Sequence, residues 1–276
     1  MLVVGAGQMG GGIAQVVAAS GREVALFDPQ PGAVDRALET MGRSLARRAE
    51  KGGPDPGAAL QRVSTLKQMD EAADADLMVE AVVEDAAVKA AVFREADDVL
   101  PPHAILASNT SSIPIGSLAA ATRRPERVIG MHFFNPVPVL KLVEVIRAEQ
   151  TSDATAAAVV ALARDLGKEP VEARDVAGFV SNRILMPFIN EAVHALAEGV
   201  ADAEGIDMVA KLGFAHPIGP LALADLIGLD TCVAIMEVLR SGLGDARFEP
   251  DPLLREHVSA GRLGRKSGRG FFEYSA

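Results

Sequence analysis

The opening segment Leu2-Val3-Val4-Gly5-Ala6-Gly7-Gln8-Met9-Gly10 constrains this chain more than any other. A short apolar strand runs straight into glycines at the G-x-G-x-x-G spacing, and an apolar helical stretch from Gly12 to Ala19 follows. In that context each glycine has a physical task. Gly5 permits the tight turn, Gly7 lets backbone come close to a pyrophosphate, and Gly10 lets the helix pack against the strand. The helix N-terminus adds peptide N–H groups and a dipole that favour an anion. A second apolar strand, Glu23 to Phe27, ends in Asp28, roughly twenty residues beyond the turn, where a carboxylate can hold the adenosine ribose hydroxyls. Pro29 and Gln30 follow Asp28, so a ribose phosphate would meet a carboxylate with no neighbouring arginine. The pattern predicts NAD(H) over NADP(H). A glycine-rich strand–helix turn with no ligand is the plain alternative.

Beyond Asp28, strands and helices alternate. A helix from about Gly32 to Glu50 stops at Lys51-Gly52-Gly53-Pro54, and a short helix and a strand at Val63 to Leu66 come next. Further strands are predicted over Asp76 to Val83, Ala104 to Ser108, Val128 to Phe133 and Leu142 to Ile146, with a helix over Asp85 to Leu100. Alternation of this kind predicts an α/β fold with a Rossmann-type, mostly parallel sheet. From Gly178 onward the long stretches Phe179 to Leu196, Asp202 to Leu212 and Leu221 to Leu239 are helical in period and joined by Gly/Pro turns. A smaller all-helical domain is therefore expected after the first. The predicted division is 1–177 for an NAD-binding domain and 178–276 for the helical domain.

Bulk properties narrow the function classes. A net charge of −10 argues against broad binding to nucleic acid or anionic membrane, while leaving room for a local basic pocket. The single Cys232 rules out an intrachain disulfide framework and a cysteine-rich metal site. No His, Asp and Glu grouping has metal-ligand spacing, so no metal is expected. Neither a signal peptide nor a spanning segment is visible, which makes a cytoplasmic location the expectation. The first strand starts almost at Met1, an opening that suggests a few residues upstream.

A second cluster holds the candidate chemistry: Ser108-Asn109-Thr110-Ser111-Ser112, then Met131-His132-Phe133-Phe134-Asn135-Pro136, then Leu142-Val143-Glu144-Val145-Ile146. His132 ends an apolar strand just before a proline-rigidified turn, and ligands of open α/β sheets bind at such strand ends. Glu144 lies inside an apolar strand. A lone buried carboxylate is costly, so it should have a partner, and an imidazole suits. A carboxylate on one ring nitrogen would fix the tautomer and leave the other nitrogen facing a substrate. A glutamate on a solvated edge and a histidine capping a strand fit the spacing equally well.

The segments GAGQMGGGIA, VEAVVED, ASNTSS, GMHFFNPVPVLKLVEVI, GFVSNRILMPFINEA, HPIGPLALADLIGLD and GRLGRKSGRGFFEY together resemble the 3-hydroxyacyl-CoA dehydrogenase family, in its short-chain 3-hydroxybutyryl-CoA form. The resemblance covers essentially the whole chain in order. It implies NAD-dependent, reversible oxidation of an (S)-3-hydroxyacyl-CoA to the 3-oxoacyl-CoA. In that family His132 would be the base and Glu144 its orienting acid, with Ser111 and Asn182 donating hydrogen bonds to the substrate oxygen. Asn182 belongs to the helical domain, so the resemblance implies that this domain completes and closes the site. Cofactor contacts are implied at Gly5, Gly7, Gln8, Met9, Gly10, Asp28, Glu84, Lys89, Asn109 and Asn135. A helix-start carboxylate and a solvated lysine are the plain readings of Glu84 and Lys89. Ser44 and Lys51 would contact coenzyme A; Arg43, Arg47 and Arg48 on the same helix make a basic cluster that fits a phosphorylated handle or an ordinary solvated face. The family further implies a homodimer through the C-terminal domain and a structural role for the Gly264-Arg265-Lys266-Ser267-Gly268 tail.

Two other functions compete. One is a free-acid dehydrogenase resembling gulonate 3-dehydrogenase and lambda-crystallin, in which Phe133 and Phe134 would be expected to differ. The other is a silent NAD(H)-binding protein, which has no chemical reason to keep His132, Glu144, Ser111 and Asn182 together. A stand-alone chain is expected rather than part of a multifunctional fatty-acid oxidation protein, since no enoyl-CoA hydratase-like region is present.

Overall fold

The computed structural model describes residues 1–274, and the described chain divides into two compact units, Met1–Asp175 and the residues from Val176 onward. In the first unit β1 (Leu2–Val4) enters the glycine turn and α1 (Gln8–Ala19) leaves it. There follow β2 (Val24–Phe27), α2 (Ala33–Ala49), α3 (Pro56–Leu60), β3 (Val63–Thr65), β4 (Leu77–Glu80), α4 (Ala86–Val99) and β5 (Ile105–Ser108). The unit is completed by α5 (Ile115–Ala119), β6 (Val128–Phe133), β7 (Leu142–Arg147), α6 (Asp153–Asp165) and β8 (Glu169–Arg174).

All eight strands form one sheet in the order β3-β2-β1-β4-β5-β6-β7-β8. Every pairing from β3 to β6 is parallel. Parallel neighbours need crossovers over the sheet faces, and strands covered on both faces read as continuous apolar runs. Such runs are seen in β1 and β4, whose Leu2, Val3, Val4, Met78 and Val79 are buried with Ile13 and Val17 of α1. Strand order reverses at β1, which lies between β2 and β4. That switch leaves a crevice beyond the carboxyl ends of the strands.

β7 breaks the parallel rule. The 134–141 connection from β6 is too short for a crossover, which takes about a dozen residues or more, so β7 returns antiparallel. The register sets His132 opposite Glu144 and Phe133 opposite Val143. α6 then carries the chain to β8, parallel to β7. Sequence periodicity does not reveal β8, because Glu169-Pro170-Val171-Glu172-Ala173-Arg174 has the charges and proline of an edge strand.

The second unit contains α7 (Ser181–Ala197), α8 (Ala203–Gly213), α9 (Pro220–Ile227), α10 (Leu229–Leu243) and α11 (Pro252–Ser259). Their core includes Met186, Ile189, Leu221, Cys232, Met236 and Leu254. The apolar stretch from Leu221 to Leu239, expected to be one helix, divides at Gly228, whose φ of 105° ends α9 and begins α10. The tail closes on buried Asp225, which accepts hydrogen bonds from Phe271 N–H, Phe272 N–H and the Tyr274 hydroxyl at 3.0, 3.0 and 2.9 Å. Among the described residues no helix is long and apolar enough to cross a membrane.

Candidate active site

The glycine turn has the shape its spacing predicts. Gly5 takes φ +101°, and a Cβ there would stand 2.5 Å from the Ala81 carbonyl oxygen. A Cβ on Gly10 would stand 1.8 Å from the Gly5 oxygen, so neither position admits a side chain. At Gly7 nothing lies within 4 Å of the same point, which leaves the turn open on that side. α1 begins there with no side-chain cap and no acidic residue in its first turn. Uncapped N–H groups at a helix start suit a phosphate.

Asp28 stands just past β2 and buttresses the turn. Its Oδ2 accepts from Ala6 N–H at 2.7 Å and its Oδ1 from Gln30 N–H at 2.8 Å. Each carboxylate oxygen has a second lone pair that can receive a ribose hydroxyl. Gly7, Gln8 and Asp28 line a cavity of about 580 Å³ that is also lined by Ser44 and Asn135. Met9 is half-buried in the first turn of α1. The turn, the helix start and the carboxylate fit the pyrophosphate and ribose of a dinucleotide. Asp28→Ala is expected to raise the KM for NADH about tenfold and to narrow the preference over NADPH, since it removes a charged acceptor and the Ala6 contact together. Steady-state kinetics with both cofactors check this, and an unchanged preference would separate Asp28 from the ribose.

Next to the turn, β4 ends in the fully buried Glu80. Its carboxylate accepts from Val82 N–H at 2.6 Å, Lys89 Nζ at 2.7 Å and the Ser108 hydroxyl at 2.7 Å. Lys89, only 1% exposed, also approaches Glu84 at 3.3 Å. Glu84 lies in the loop after β4 and accepts from the Thr110 hydroxyl at 2.6 Å, Ser111 N–H at 2.9 Å and Ser112 N–H at 3.1 Å. The Ser111 hydroxyl donates to it at 3.2 Å. Burial pushes the Glu84 carboxyl up, but the Lys89 charge and these hydrogen bonds outweigh it and hold it below the usual carboxylate range. Lys89 is thus no solvated lysine. Glu80 was not singled out from sequence, although a carboxylate inside an apolar strand is the same signal that pointed to Glu144.

On the other side of β5, His132 Nδ1 lies 2.9 Å from Glu144 Oε2. The two residues are 8% and 1% exposed, which excludes the solvated-edge reading of Glu144. Strand register alone makes them neighbours across the one antiparallel pairing of the sheet. The Phe134 ring packs on the imidazole with centroids 4.6 Å apart. Asn109 Oδ1 accepts from Phe133 N–H at 2.8 Å and so ties the end of β5 to the residue after His132. An ionised carboxylate only accepts, so in this contact Nδ1 is the donor.

The remaining candidates are placed as follows. Ser44 accepts from Gln15 Nε2 at 3.0 Å. Arg36 and Arg47 line the same cavity, while Lys51 is exposed beyond the end of α2 and Arg48 turns to the Pro138 carbonyl. The basic residues of α2 therefore have different surroundings. Asn182 is buried in the first turn of α7, in the second unit, just after Phe179, which takes a φ of 50°. Among the described residues no group of three or more His, Cys, Asp or Glu could hold a metal.

A glycine turn of dinucleotide-binding spacing and a buried imidazole–carboxylate pair on one sheet suit a nicotinamide-dependent oxidoreductase of the Rossmann type. Family models sharpen that class: "3-hydroxyacyl-CoA dehydrogenase, NAD binding domain" matches residues 1–176, and "3-hydroxyacyl-CoA dehydrogenase, C-terminal domain" matches residues 178–274. The chain belongs to the 3-hydroxyacyl-CoA dehydrogenase family, and its cofactor is NAD. A probable 3-hydroxybutyryl-CoA dehydrogenase of Bacillus subtilis is 55% identical over 99% of this chain and 96% of its own length. The 3-hydroxybutyryl-CoA dehydrogenase of Bradyrhizobium diazoefficiens is 50% identical over 99% of this chain and 94% of its own. Among solved structures, the (S)-3-hydroxybutyryl-CoA dehydrogenase of Ralstonia eutropha superposes with a TM-score of 0.97 at 48% identity, covering 100% of this chain and 98% of that one.

Proposed function

We propose that this dehydrogenase interconverts short-chain (S)-3-hydroxyacyl-CoA and 3-oxoacyl-CoA thioesters, with 3-hydroxybutyryl-CoA as the representative substrate. The buried His132–Glu144 pair, on the sheet that carries the dinucleotide turn, is the observation that carries this reading. NAD, when bound, supplies the hydride acceptor. In the oxidative direction His132 Nε2 takes the proton of the C3 hydroxyl, and Glu144 stabilises the imidazolium through the Nδ1 bond. In the reductive direction His132 returns that proton to the carbonyl oxygen. Ser111, once its hydroxyl turns from Glu84, and Asn182 are assigned as donors to the substrate oxygen, which orients and polarises it. Gly5, Gly7, Gln8, Met9, Gly10, Asp28, Glu84, Lys89, Asn109 and Asn135 are assigned to the cofactor, and Ser44 and Lys51 to coenzyme A. The functional division is taken at 1–177 and 178–276. Loss of NADH absorbance with acetoacetyl-CoA, beside free acetoacetate and NADPH, tests the reading. Turnover requiring both NADH and the thioester supports it, and turnover of the free acid instead overturns it.

The same proposal includes a homodimer through the helical unit. Met208, Val209 and Leu212 of α8 are exposed, as is Phe214 just beyond it, and an apolar patch of that kind marks an association surface. Leu212→Glu is expected to convert a dimer to a monomer in sedimentation velocity; a dimer that persists would take α8 out of the interface. The expected location is the cytoplasm. Cys232 is compatible with a reducing compartment: it is a free thiol, and burial pushes it up to about 12.

A further inference from the structure

Lys168 is a buried cation for which the chemistry above has no use. It lies between α6 and β8, 6% exposed, and donates to the carbonyls of Val137 at 2.5 Å and Leu140 at 2.7 Å. Among the described residues it forms no ion pair, so backbone oxygens alone compensate its burial. From a different element, Arg48 in the last turn of α2 donates to the Pro138 carbonyl. The backbone adds a further tie where Glu169 N–H donates to the Lys141 carbonyl at 2.8 Å. Burying an ammonium is costly unless it is well bonded, and an isolated surface loop gives no reason to do so.

The gripped segment is the connection between β6 and β7. A two-residue hairpin loop fixes strand register by its own turn geometry, but a connection running from 134 to 141 does not. Register is what matters here, because it alone puts His132 opposite Glu144. A one-residue slip would send Glu144 to the other face of the sheet. We propose that Lys168, supported by Arg48, is a positioning residue for the His132–Glu144 pair: it holds the β6–β7 connection and through it the alignment of base and acid. The proposal rests on the thioester reading above for its kinetic test. Its rival is direct capture of coenzyme A phosphates, since Arg48, Lys141 and Lys168 border a cavity of about 360 Å³.

The two roles separate when acetoacetyl-CoA is compared with S-acetoacetyl-N-acetylcysteamine, which has no phosphate. Lys168→Met is expected to lower kcat about tenfold or more with both thioesters by the same factor, with the KM for NADH changed by less than about twofold. Lys168→Arg, which keeps a donor to the carbonyls, should recover most of the loss. Arg48→Ala removes an exposed side chain and leaves the fold intact; it should lower kcat about two- to threefold on both substrates. A loss confined to the KM of acetoacetyl-CoA, or an unchanged kcat in Lys168→Met, overturns the proposal; if that variant does not fold, Arg48→Ala decides in the same way. A readout without substrate separates this idea from the functional reading. The downfield Nδ1 proton resonance of His132, identified by its loss in His132→Gln, should vanish in Lys168→Met and persist in Lys168→Arg. Its persistence in Lys168→Met refutes the positioning role, whatever the substrate proves to be.

Discussion

His132→Gln is expected to turn over acetoacetyl-CoA about 10²- to 10⁴-fold more slowly than the parent enzyme while binding NADH normally. Glutamine keeps a polar side chain at 132, and the backbone pairing of β6 with β7 holds the hairpin without the imidazole. What it lacks is a ring nitrogen that can take up a proton and give it back. The loss should therefore sit in kcat, in both directions, with NADH affinity by fluorescence titration unchanged. A variant within tenfold of the parent rate would remove His132 from the role of base. Weakened NADH binding would instead mean that the substitution disturbs the cofactor site.

Glu144→Gln should cost less, about 10- to 100-fold in kcat. A hydrogen bond to a charged group contributes about 1.5–3 kcal/mol, and each 1.36 kcal/mol is a factor of ten in rate. Two effects combine. The imidazolium loses its buried counter-charge, and the carboxamide can donate to Nδ1, favouring the tautomer whose Nε2 is already protonated. Because the pair works as a unit, His132→Gln/Glu144→Gln should be no slower than His132→Gln alone. Multiplying losses would show that Glu144 acts on something other than His132. Single-turnover rates of the four proteins close this cycle.

Local signals made much of this legible in the sequence. The strand, the glycines and Asp28 lie in one continuous segment, and each answers to a steric or electrostatic demand of the folded turn. The His132–Glu144 pair was half legible: apolar flanks implied that Glu144 needs a partner, but only strand register names the partner. Elements whose residues follow tertiary surroundings rather than periodicity were hidden. β8 has no apolar alternation because neither of its faces is buried, and the break between α9 and α10 depends on the backbone of the single residue Gly228. Arg48 is legible only as part of a basic face, since nothing in α2 points to a carbonyl at Pro138. Lys168 carried no local signal at all. Its partners are backbone atoms on a distant loop, and backbone atoms leave no mark in a sequence.

The two margins of the sheet have a consequence for how the protein behaves in a crowded solution. β3 is three residues long, and β8 offers Pro170, which has no N–H to give, among glutamates and an arginine. An incoming strand would find too few donors at one border and an unfavourable array of charge at the other. Growth of the sheet by strand addition is thereby disfavoured at both borders. Neutral, β-branched replacements at Glu169, Pro170 and Glu172 would reopen that border, creating an aggregation hazard far from the chemistry.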